Sequence, residues 1–164
     1  MTASISTALG NQAAPITMEW RGRTLEFREL QWNSIVSALE QWLIDRAIVQ
    51  KIAAWEALHR KGLMTLEQVQ QKAEEFTDQC VEHGLYSFGS PAMMAIFNDV
   101  AQGSVSATQK RPHFAGVLKL VSLMTALSED DVISLMNEKG TELGMKLALT
   151  MNRGLPPDPK SEGA

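Results

Sequence analysis

The sequence is short of cysteine, of surplus positive charge and of long apolar runs, and each shortage removes a class of protein. Its one cysteine, Cys80, leaves no internal disulfide to form. A bridge-stapled secreted scaffold is therefore excluded, and a reducing compartment suits the chain. Lys and Arg total 15 against 19 Asp and Glu, a formal net charge of −4. Phosphate binding needs a concentrated basic surface. Here the tightest basic group, Arg21, Arg23 and Arg28, is interleaved with Glu19, Glu26 and Glu29. No nucleic-acid partner is expected. The most apolar run, Phe114 to Leu127, carries Lys119 and is too short to cross a bilayer. No membrane role is expected either. Residues 1–15 hold no Lys or Arg and no apolar core, so they do not read as a secretory signal.

What remains is 164 residues, 45% hydrophobic and 21% charged, which fits one globular domain. Residues 1–15 are small and polar and read as a mobile arm. The end, 155–164, carries Pro156, Pro157 and Pro159 and reads as an extended tail. The domain between them spans 16–154. Its first segment alternates: Ile16, Met18 and Trp20, then Leu25 and Phe27, on either side of Arg21-Gly22. Period-two patterning around a glycine predicts a β-hairpin over 16–28. A lone hairpin is marginal in water, so its apolar face must rest on helices or on a second copy.

The period then becomes helical. Between Gln31 and Arg60, one stripe runs through Trp32, Ile35, Leu39, Trp42 and Leu43. A second runs through Ile44, Ile48, Ile52 and Trp55, on nearly the opposite side of the same helix. Such a helix is covered on both sides, or breaks near Asp45, or offers its second stripe to a partner. Ile44, Ile48, Ile52 and Trp55 are accordingly the candidate partner-binding residues. Thr65 with Gln68 forms a capping box that opens a helix carrying Leu66, Val69, Ala73, Phe76 and Cys80 on one side and acidic residues on the other. Ser90-Pro91 opens a third helix. Residues 112–127 form one apolar on almost every side, expected at the centre of the core. Ser128 with Asp131 caps the next, and Gly140-Thr141 suggests a stop and restart before the stripe Leu143, Leu147 and Met151. The predicted fold is mainly α: five to six helices in a compact bundle with a short N-terminal β-hairpin.

No chemistry-bearing motif accompanies this pattern. Cys80 and His83 share a helix face, yet a metal site needs two further ligands, and His59 and His113 have no motif spacing. The same pair lacks an oxyanion hole or a nucleophile elbow. Glu74, Glu75 and Asp78 lie along a helix rather than wrapping a cation. No catalytic residue, metal ligand or cofactor is assigned, and the protein reads as a non-enzyme. The rival reading is a small helical enzyme using Cys80 and His83.

The segment ITMEWRGRTLEFREL leading into a long helix, together with the later LSEDDVISLMNEKGTEL, resembles the small tail assembly chaperones of long-tailed bacteriophages. The likeness of layout spans Ile16 to Gly154. The resemblance implies a multimeric, non-enzymatic adaptor in the host cytoplasm. It would bind the tape-measure protein, keep it soluble, recruit tail-tube protein and form a homo-oligomer. The alternative is a structural virion component: a neck, tail-completion or baseplate subunit.

Overall fold

The computed structural model describes residues 14–29, 32–102 and 109–154. The tail 155–164, nearly all of the arm 1–15, and most of the polar loop 103–111 lie outside the described residues.

Strands β1 (Ile16–Trp20) and β2 (Arg23–Phe27) pair antiparallel, with Trp20 opposite Arg23 and Ile16 opposite Phe27. Both turn residues take positive φ, Arg21 at 49° and Gly22 at 73°. That is the conformation whose twist suits a two-residue hairpin. Glycine adopts it freely, but for Arg21 it is unfavourable by about 1–2 kcal/mol. Alternation puts Ile16, Met18, Trp20, Leu25 and Phe27 on one buried face.

The chain then enters a π-helical turn, Trp32–Val36, and continues as α1 (Ser37–Arg60). After the capping box at Thr65 comes α2 (Leu66–Glu82). Ser90 caps α3 (Pro91–Ala101), with Pro91 at the first position. Helices α4 (Phe114–Thr125) and α5 (Glu129–Gly154) follow. The mainly α fold with one short hairpin is thus present. Helix α5 bends at Lys139, where φ is −140° and ψ is 42°. Two helical segments meet at that non-helical residue, next to the stop and restart expected at Gly140.

The main core gathers the hairpin face, the start of α1, and helices α3, α4 and α5. Helix α4 is central: Val117, Leu120, Val121 and Met124 are fully enclosed. Its end is stitched to the sheet. The Arg28 N–H donates to the Met124 carbonyl at 2.8 Å, filling one acceptor that a helix C-terminus leaves open. Gly116 permits the close approach of α3, because a Cβ there would lie 2.2 Å from Ile96 Cδ1.

The hairpin turn is also clasped to the α5 kink. Trp20 Nε1 donates to Glu138 Oε2 at 2.7 Å, Arg21 pairs with the other carboxylate oxygen, and Lys139 Nζ donates to the Glu19 carbonyl at 2.8 Å. The Arg21 guanidinium lies 4.5 Å over the Trp20 ring. These contacts hold Arg21 in its unfavourable conformation. At the far end of α5, Arg153 hydrogen-bonds the Ala14 carbonyl and approaches Glu29 at 3.9 Å.

Two outcomes follow from this packing. Gly116→Ala should destabilise by about 1–3 kcal/mol, the usual cost of overpacking, and adding Ile96→Val should recover part of it; denaturant titration measures both. The bonds from Arg21 and then Trp20 hold the Glu138 carboxyl below the usual carboxylate range. A depressed folded-state value adds stability above the unfolded value and loses it as pH falls through the folded one. The melting-temperature gap between wild type and Glu138→Gln should therefore close on acidification below that range.

Candidate functional site

The long helix α1 serves two packings. The π-helical turn and the first part of α1 belong to the main core: Ile35, Val36 and Leu39 are buried there, with Trp42 and Leu43 half-buried against it. Beyond that, α1 runs on with α2 antiparallel to it, and α2 rests on no other element to a comparable extent. Residues 44–60 of α1 and their return through α2, 17 residues long, make a two-helix arm about 25 Å long at about 1.5 Å per residue.

The arm has a small core of its own. Ile44, Val69 and Cys80 are buried but lie outside the main cluster. Ile48, Ile52 and Trp55 are half-buried. Trp55 meets Phe76 edge-on, with ring centroids 6.4 Å apart and planes at 78°. Lys51 Nζ sits 5.7 Å over the Phe76 ring. The structure therefore brings all four candidate residues together, on the side of α1 that α2 covers. The helix does not break at Asp45.

The sequence reading missed what α2 leaves bare. Val49 is 67% exposed, Val81 72%, Leu63 72% and Leu66 56%. Val49 and Val81 each follow a stripe residue by one position, so periodicity files them off the apolar face. Leu66 was assigned to that face, but it starts α2 at the arm tip, where α1 no longer covers it. At the arm's base, Phe88 packs edge-on against Phe97 of α3 at 5.6 Å, tying the return of α2 to the body.

The arm does not look chemical. Cys80 is buried, and that burial pushes its thiol up, away from the thiolate a nucleophile needs. His83 is exposed at the end of α2. Among the described residues, no group of three His, Cys, Asp or Glu is placed to hold a metal ion, and no helix is long and apolar enough to cross a membrane. No family model matches the chain, and neither a curated protein nor a solved structure does.

Because α2 is held by one narrow contact, Phe76→Ala should act locally. The expected loss is about 1–2 kcal/mol, below the ~3–5 of a fully enclosed aromatic. Amide exchange should quicken across 66–82 and stay unchanged in α4 and the hairpin. Uniform acceleration throughout would show that arm and body unfold together.

Proposed function

We propose that this chain is a non-enzymatic assembly chaperone of a long-tailed phage. In this reading it acts in the host cytoplasm as a homo-oligomer, holds the tape-measure protein in soluble form and helps recruit tail-tube protein. The observation that carries it is the arm: two helices joined to the body at one end, with Val49, Leu63, Leu66 and Val81 left open to solvent. A holding protein needs apolar surface for its client and like charge for its own solubility. The arm offers the first, and the net charge of −4 the second. The resemblance of ITMEWRGRTLEFREL and LSEDDVISLMNEKGTEL to tail assembly chaperones points the same way.

Co-expression with the neighbouring long helical reading frame, followed by affinity purification, tests the role. Retention of a tape-measure-like protein is the expected result. Stoichiometric recovery of this chain from purified virions would instead make it a structural neck, tail-completion or baseplate subunit.

A further inference from the structure

A cavity of about 520 Å³ opens at the end of the hairpin away from its turn. Cavities of about 300–1,000 Å³ enclose ligands of drug size, comparable with a tripeptide. Much of the lining is apolar. Ile16 and Phe27 face each other across the two strands, Ile35 comes from the π-helical turn, and Leu123 from α4. The first three are buried and Leu123 is half-buried. Pro15 and Glu29, both exposed, line the rim. The far end of α5 reaches the same rim. Arg153 hydrogen-bonds the Ala14 carbonyl, next to Pro15, and lies 3.9 Å from Glu29. The chain beyond Gly154 therefore starts beside this cavity.

Two segments outside the described residues adjoin that rim: 1–13, which leads into Ala14, and 155–164, which follows Gly154. Charge does not choose between them. The lining carries Arg28 together with Glu26 and Glu29, and the tail carries both Asp158 and Lys160. Apolar content next to the anchor does choose. The tail opens directly on Leu155-Pro156-Pro157. The arm reaches Ala14 through Asn11, Gln12 and Ala13, and its nearest branched apolar residue is Leu9. Proline also restricts the undocked chain, so less entropy is lost on docking. We propose that Leu155, Pro156 and Pro157 of the same chain fill this cavity, packing on Phe27, Ile35 and Leu123. In an extended run at about 3.1 Å per residue these three span about 9 Å. Attachment at Gly154 gives them a high effective concentration, so a contact of few residues suffices. The cavity is thus a docking surface for an apolar, proline-bearing segment, and the chain supplies that segment itself. This goes beyond the chaperone reading and does not depend on it.

Cys80 is the chain's one cysteine and is buried in the arm, so an introduced pair of cysteines reports proximity cleanly. Ser34 lines the cavity and is exposed. The full chain carrying Ser34→Cys with Asp158→Cys is oxidised by glutathione disulfide, and the bridges are mapped by mass spectrometry. An internal bridge between the two positions is the expected product. Adding Leu155→Asp should slow its formation at least about tenfold, since burying a leucine side chain is worth more than that factor. A second measurement needs no cysteine. In the otherwise natural chain, Leu155→Asp should hasten cleavage after Lys160 by a lysine-specific protease at least about fivefold, because a docked segment is cut through its open form. The proposal is overturned if the internal bridge forms as fast with Leu155→Asp, which would leave the tail tethered but not docked, or if cleavage after Lys160 is unchanged. A bridge joining two chains would overturn it by making a second copy's tail the occupant. A faster bridge in Ser34→Cys with Gln12→Cys would overturn it in favour of the N-terminal arm.

Discussion

A single unbroken helix that must satisfy two separate partners governs this structure. The apolar side chains of α1 change sides near Leu43-Ile44, and a straight helix cannot turn both sets toward one core. The chain resolves the conflict by position along the helix. The first set faces the main core, and the second meets α2, which returns alongside it. Burial of Ile44 and half-burial of Ile48, Ile52 and Trp55 are the outcome. A two-helix layer encloses only a narrow strip, so it cannot hide everything apolar that it carries. The exposed Val49, Leu66 and Val81 follow from that geometry.

The body solves the opposite problem. A two-stranded sheet has little stability of its own. Here its buried face lies against the helices, Arg28 just after its last strand hydrogen-bonds the end of α4, and its turn engages the kink of α5. Positive φ at Arg21 and non-helical geometry at Lys139 are two local irregularities brought side by side. Glu138 joins them, accepting from both Trp20 and Arg21. Neither irregularity stands alone, because each supplies the groups that hold the other.

Much of this was legible in the sequence, because local rules wrote it. Alternation around Arg21-Gly22 gave the hairpin, Thr65 with Gln68 and Ser90-Pro91 gave helix starts, and the all-round apolarity of Phe114–Leu127 gave the central helix. What escaped was tertiary. The second stripe of α1 and the apolar side of α2 were each visible, but periodicity does not say that two stripes face each other. Matching them would have assigned Ile48, Ile52 and Trp55 to the arm's own interior and turned attention to the residues one step away. The clasp at Glu138 was hidden for a like reason: its partners lie more than a hundred positions apart in the chain.

The contact of Arg153 with the Ala14 carbonyl and with Glu29 closes the described chain into a loop. The segments before Ala14 and after Gly154 leave from one neighbourhood, although they sit at opposite extremes of the sequence. A label joined directly at Ala14 or beside Arg153 therefore starts from the same region of space. Topologically the body is a ring with its seam at that point, which makes it a candidate for circular permutation.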